Sequence, residues 1–290
     1  MKVVRFYGGL GNQMFQYAML VALREMTGDE VRMDTSLYRT YGLHNGFELA
    51  TDFNITAPEA SPEQVKKLSW YTTRYLVYRT LHYVLPSRRR EFKERVYGKY
   101  YPEVFEREGD MLFDGYWQHW EYFDRYRELL LREFSLREEL DARNAAMVER
   151  MRATNSCSVH VRRGDFLESR LYRNICEGDY YRDAVRKVRE LAGEDVEFYF
   201  FSNDFDWCRE NLSDLVDEAH VHRIDWNKGP DSYKDMVLMS ACRTNVIANS
   251  SFSWWAAYLN GNAGKTVIAP RVWINKPTGN PVQMPDWILV

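Results

Sequence analysis

Three short polar segments hold most of the reactive side chains in the second half of this 290-residue chain, and each closes an apolar run. They are His160-Val161-Arg162-Arg163-Gly164-Asp165, Ser202-Asn203-Asp204 and Asn249-Ser250-Ser251-Phe252-Ser253-Trp254-Trp255. Adjacent guanidinium forks suit phosphate oxygens, and Asp165 could accept a proton or orient one of the arginines. The bland alternative for that cluster is a surface ion-pair group. Ser250 and Ser251 open an expected helix, where backbone N–H groups favour an anion. Ligands of open α/β sheets sit beyond the carboxyl ends of the strands, so three polar strand ends in succession imply one crevice shaped for a diphosphate.

Other motifs carry less. Gly8-Gly9-Leu10-Gly11-Asn12-Gln13 lies between a strand and a helix, as a phosphate-cradling turn would. Met14 stands where a dinucleotide fingerprint needs a small residue, and no Gly-Lys-Ser/Thr makes a P-loop, so a plain tight turn stays open. Asp204-Phe205-Asp206 matches a short metal-holding pattern, but Ser202 to Asp204 also reads as a helix N-cap. His220 and His222 face one side of a strand without a third ligand nearby and read as structural. The Asn249 to Ser253 run lacks the small residues of a hydrolase elbow, and Trp254-Trp255 reads as packing.

The elements that must position these residues are legible from periodicity. A strand at 3–7 leads into a helix whose apolar residues Met14, Tyr17, Ala18, Val21 and Ala22 recur to Gly28. Another strand is expected at 31–34, an irregular stretch at 38–58, a helical region at 62–85 and a strand at 110–116. Helices are expected at 122–134 and 141–153. From there strands at 157–161, 196–201, 219–224, 245–248 and 265–269 alternate with helices at 179–192, 204–212, 231–241 and 252–260, the pattern of a parallel doubly wound sheet. Thr154-Asn155-Ser156 reads as the domain boundary.

Composition bounds the rest. Hydrophobic residues make up 45% and charged residues 28%, and no apolar run is long enough for a membrane span. The N-terminus shows no secretion signal, and the four scattered cysteines (Cys157, Cys176, Cys208, Cys242) read as reduced thiols in a cytoplasmic protein. The net charge of −3 hides a basic, aromatic stretch at 64–101 with ten Lys or Arg against two Glu. Nucleic acid, a glycan or membrane surface and a solvated helical face are the readings it admits.

In sequence order these segments resemble the α-1,2-fucosyltransferases of glycosyltransferase family 11. The likeness spans Gly8 through Ala18, Gly115-Tyr116-Trp117-Gln118, His160 to Asp165, Phe201 to Asp204, and Asp235 through Tyr258. The resemblance implies an α/β fold of GT-B type, two Rossmann-like lobes with a donor cleft between them: residues 1–153 as the acceptor-side lobe with the glycine loop, 154–290 as the lobe binding GDP-fucose. It implies an inverting enzyme that moves L-fucose from GDP-β-L-fucose to the 2-hydroxyl of a terminal galactose, with no metal required. By the same resemblance Arg162 and Arg163 hold the diphosphate, Arg163 on the β-phosphate. His160, Asn203, Asp204, Ser250, Ser251 and Phe252 join the donor site, Gly9, Gly11 and Asn12 meet it from the other lobe, and Asp235 accepts from guanine N1 and N2. Asp165 is the candidate general base and Glu168 the second choice, since Arg170 stands where one group of relatives has a glutamate. Expected partners are GDP-fucose and a galactose-terminated or lipid-linked glycan, with peripheral membrane contact through 64–101 at the inner face and no nucleic acid. A fucosyltransferase of other regiochemistry or acceptor, including one acting on protein, and a non-catalytic nucleotide-sugar-binding protein are the alternatives.

Overall fold

A computed structural model describes every residue except Tyr83 and 278–281. The chain divides into two compact units, one built on residues 1–138 and the other on 139–277 and 283–290.

The first unit holds a parallel four-stranded sheet of β1 (Lys2–Arg5), β2 (Val31–Asp34), β3 (Glu91–Lys93) and β4 (Met111–Asp114), in the order β2-β1-β4-β3. The helix Leu10–Thr27 follows β1, and its 3.6-residue apolar stripe is fully buried at Met14, Tyr17, Ala18, Val21 and Ala22. It stops at Gly28, whose φ of 68° and N–H to Arg24 O make a left-handed cap. The expected helical region at 62–85 is two helices. Pro62–Leu68 opens on a Ser61/Gln64 capping box, and Tyr75–His82 follows after a turn. Strand β3 escapes an apolar-pattern reading because its ends are charged. Glu91 and Lys93 are nonetheless buried, and pair at 3.7 Å.

The second unit holds six parallel strands: β5 (Ser156–Val161), β6 (Glu197–Ser202), β7 (Val221–Ile224), β8 (Thr244–Val246), β9 (Thr266–Ala269) and β10 (Ile288–Leu289). Their order is β10-β9-β8-β5-β6-β7. The apolar inner faces of β5 and β6 pack with Tyr181, Ala184, Val185 and Val188 of the helix Gly178–Ala192. The division at 138/139 lies ahead of the expected one at 153/154. The helix Ala142–Ala153 belongs with the second unit, because it packs on the helix Tyr233–Ala241 and its Asn144 amide exchanges hydrogen bonds of 3.0 and 2.9 Å with Asn227.

Candidate active site

In the second unit the chain runs outward from β5 to β6 and β7, then returns to β8 on the other side of β5. The β5/β8 junction is therefore the switch point where a sheet of this kind opens a ligand crevice. Register pairs Val161 with Ser202 and Val159 with Val246, so the three polar segments leave adjacent strands side by side. The His160 ring lies 6.0 Å from that of Phe252, across the junction.

Arg163 is the most constrained charge there. Its Nη1 donates to Glu177 Oε2 at 3.0 Å, its Nε lies 3.4 Å from Asp204 Oδ2, and its guanidinium stacks 4.1 Å above the Trp207 ring. Its backbone N–H donates to Asn203 Oδ1 at 2.9 Å. Gly164 completes this turn at φ 61° and ψ −117°, and a Cβ there would sit 2.7 Å from Asn203 Nδ2. Glycine is required on both counts. The other arginine of the pair is looser: the half-buried Arg162 donates through Nη2 to Oδ1 of the exposed Asp165 at 2.7 Å. Asp165 and Glu168 begin and end the single turn Asp165–Glu168. His160 is buried, its Nδ1 has no hydrogen-bond partner among the described residues, and burial together with Arg162 pushes its pKa down to about 3. The imidazole is neutral at working pH.

Ser250 caps the helix Ser251–Leu259, its hydroxyl accepting from Phe252 N at 3.4 Å. That helix and Tyr233–Ala241 pack together, and Asp235 stands in the first turn of the latter. Asp235 accepts from Asn227 Nδ2 at 2.8 Å. Burial pushes its carboxyl up to about 7, against the lowering effect of that one bond. A half-buried carboxyl at this edge with one strong donor has capacity for more.

The weaker motifs resolve into structure. Asp204 accepts from Trp207 N at 3.0 Å and caps Phe205–Leu212, while Asp206 pairs with Arg209 at 2.9 Å. His220 and His222 both engage Glu197 on the neighbouring strand. Trp254 and Trp255 are fully buried, and all four cysteines are buried and free.

The glycine segment carries structural bonds of its own. Gly11 lies inside the helix that begins at Leu10, so the turn is only Gly8-Gly9. Gln13 is not at the mouth but buried, its Nε2 donating to Gly8 O and Gly46 O and its Oε1 accepting from Glu48 N at 2.9 Å. Gln16 likewise ties Tyr7 to Gly115. Asn12 and Gly9 are the partly exposed residues of the motif, and Asn12 Oδ1 accepts from Gln118 Nε2 at 2.7 Å. A Cβ on Gly9 would come within 3.2 Å of the His44 ring, closer than the ring accepts without shifting by a few tenths of an ångström.

Sequence reasoning missed Glu177, Trp207, Asn144 and Asn227, which hold Arg163 and Asp235 in place. It also missed a buried ionic group at the carboxyl edge of the first sheet, where Arg5 binds Asp34 and Asp114, each at 3.0 Å. Burial alone would raise the Asp114 carboxyl; Arg5 and His82 instead hold it at about 2.

The profile of glycosyl transferase family 11 matches residues 1–290. An α-1,2-colitosyltransferase of Escherichia coli is 33% identical, the match covering 94% of this chain and 92% of that protein. A galactoside α-(1,2)-fucosyltransferase 1 of Aotus azarae is 29% identical over 90% of this chain and 65% of its own length. Among solved structures, the NodZ α-1,6-fucosyltransferase soaked with GDP-fucose superposes with a TM-score of 0.55 at 18% identity, covering 89% of this chain and 92% of that one, a likeness of fold. The α/β architecture is thus of GT-B type, and the chain belongs to glycosyltransferase family 11.

Proposed function

We propose that this glycosyltransferase moves L-fucose from GDP-β-L-fucose to the 2-hydroxyl of a terminal galactose on a glycan, with inversion at the anomeric carbon. What supports the reading is that the braced Arg163 follows the carboxyl end of β5 while Asp235, its carboxyl raised by burial, opens the helix that follows β7 of the same parallel sheet. Guanine offers N1–H and N2–H₂ to a carboxylate, and adenine offers neither in that arrangement, so Asp235 selects the base. Arg162, Arg163 and the helix start at Ser250, Ser251 and Phe252 take the diphosphate.

As the fucose–phosphate bond breaks, positive charge grows on the sugar ring and negative charge on the β-phosphate. Donors already locked in position stabilise that charge without reorganising. Trp207, Glu177, Asp204 and Asn203 lock Arg163 in this way, so Asn203 and Asp204 serve the donor by shaping the arginine turn. The acceptor hydroxyl must lose its proton in the same displacement. Asp165 is assigned that role, with Glu168 the second choice; Asp165 also orients Arg162. The donor alone requires no metal in this scheme, since the arginines and the helix start supply the positive field.

A second reading changes only the sugar. The 33% identity to an α-1,2-colitosyltransferase favours colitose, which is fucose without its 3-hydroxyl. A site that hydrogen-bonds the 3-hydroxyl rejects the deoxy sugar by about four orders of magnitude, whereas an apolar site discriminates little. Steady-state kcat/KM with GDP-fucose and GDP-colitose, side by side on one galactoside, tests the proposal. A preference for GDP-fucose sustains it, and a strong preference for GDP-colitose replaces the donor while keeping the site.

A further inference from the structure

The helix Tyr75–His82 is seated by a narrow strip and carries an outward apolar face. Tyr78 is its buried residue; the Tyr78 hydroxyl donates to Asp114 Oδ1 at 2.6 Å, and Tyr75 packs edge-on against Tyr41 at 4.6 Å. On the other side Leu76 is 71% exposed, Val77 and Leu81 are also exposed, and Val84 just beyond the helix is 75% exposed. At 3.6 residues per turn Leu76, Val77 and Leu81 share an arc of about 140°, with Arg79 at one border, Arg74 at the other and Thr80 within it, its hydroxyl donating back to Leu76 O at 2.9 Å. Ordinary surface helices place polar residues there.

The surroundings extend the same chemistry. Trp70 is exposed and Arg88 stacks on its ring at 4.3 Å. Arg89 and Arg90 follow, exposed, and no Asp or Glu occurs from Gln64 to Arg90. Arg5 Nη2 donates to Trp70 O at 3.3 Å and Arg5 Nη1 to Asp114, which also accepts from Tyr78, so Trp70 and the helix are both tied to the buried ionic group.

We propose that this face rests on the surface of an anionic lipid bilayer. Leu76, Val77, Leu81 and Val84 would enter the acyl boundary, Trp70 would lie at headgroup level, and the flanking arginines would meet lipid phosphates. A nucleic acid would match the arginines but leave the aliphatic arc without a partner. A second copy would match the arc but bring two acid-free basic faces together. The inference is independent of the donor and acceptor assignments.

The test is flotation of the full chain with vesicles of phosphatidylcholine containing phosphatidylglycerol, against phosphatidylcholine alone, at rising salt. Binding to the anionic vesicles alone, weakening with salt, is expected. The combined variant Leu76→Ser, Leu81→Ser, Val84→Ser should lower partitioning at least about tenfold. Replacing Arg88, Arg89 and Arg90 with Ser should lower it about a hundredfold, roughly fivefold for each charge. Both variants should keep the wild-type melting temperature and turnover on a soluble galactoside. No flotation of the wild type, equal flotation with neutral vesicles, or unchanged flotation of the aliphatic variant would overturn the proposal. So would concentration-dependent self-association, or binding of a single-stranded RNA, that replaces flotation and disappears with the same variants.

Discussion

If Asp235 reads guanine, donor binding must carry a proton signature. The free carboxyl is pushed up to about 7 by burial, and only its ionised form can accept from guanine N1 and N2. The sign follows: protonation competes with the donor, so affinity is full above pH 7 and falls as pH drops through it. For a single competing proton the apparent Kd rises by 1 + 10^(pKa − pH), which gives about tenfold between pH 8 and pH 6. Near pH 7 about half a proton is released per donor bound. GDP-fucose is the ligand to use, because its esterified β-phosphate does not titrate in this range, and His160 stays neutral throughout with its pKa held near 3. Calorimetric titrations from pH 5.5 to 8.5, in buffers of differing ionisation enthalpy, read both Kd and proton release. Asp235→Asn should bind more weakly and with a flat pH profile, since an amide offers its oxygen to guanine but turns its N–H₂ against the second donor. A flat profile in the wild type, or an unchanged profile in the variant, would refute the assignment.

Four further outcomes follow from the geometry. Arg163→Ala should lower kcat by about two to three orders of magnitude, and Arg163→Lys should recover little because a point charge reproduces neither the fork nor the Trp207 stack; turnover kinetics that show the lysine variant near wild type would contradict this. Asp165→Asn should depress transfer at least about a hundredfold while leaving GDP affinity within a few-fold, and normal turnover would move the base to Glu168, tested next as Glu168→Gln. Gly164→Ala should cost about 1–3 kcal/mol in chemical denaturation, since φ 61° and the 2.7 Å approach to Asn203 both oppose a Cβ. Gln13→Leu should cost about 2 kcal/mol by leaving the buried Glu48 N and the part-buried Gly46 O without their partner, and a neutral result would show that the 46–49 segment re-pairs by itself.

The sequence shows the candidate donor-site residues more clearly than their supports. The double arginine, the serine pair and Asp235 stand at strand or helix ends, where periodicity breaks and polar residues stand out. Their partners do not stand out. Glu177 lies 14 residues from Arg163, and Asn144 lies 83 from the Asn227 it clasps. Nothing in a local pattern links such positions, and each is an ordinary surface type until the fold closes on it. The same blindness moved the domain boundary: an amphipathic helix at Ala142–Ala153 fits either unit by pattern, and the Asn144 to Asn227 bonds decide. It also hid β3 and the Arg5 group, because charged residues at strand ends look solvated until opposite charges meet in the interior. The glycine motif also hides a structural task, since Gln13 and Gln16 within it spend their hydrogen bonds on the backbone of neighbouring loops.

The proposed activity is transfer of fucose to a galactose 2-hydroxyl. The most direct measurement is incubation of the purified chain with GDP-fucose and lactose in the presence of EDTA, with the linkage of the product determined by NMR. An α-1,2-fucosylated galactose is the predicted result, and it reports donor, regiochemistry, inversion and metal independence together. A fucosylated product of another linkage or anomeric configuration, or no transfer to any galactoside despite tight GDP binding, would contradict the account.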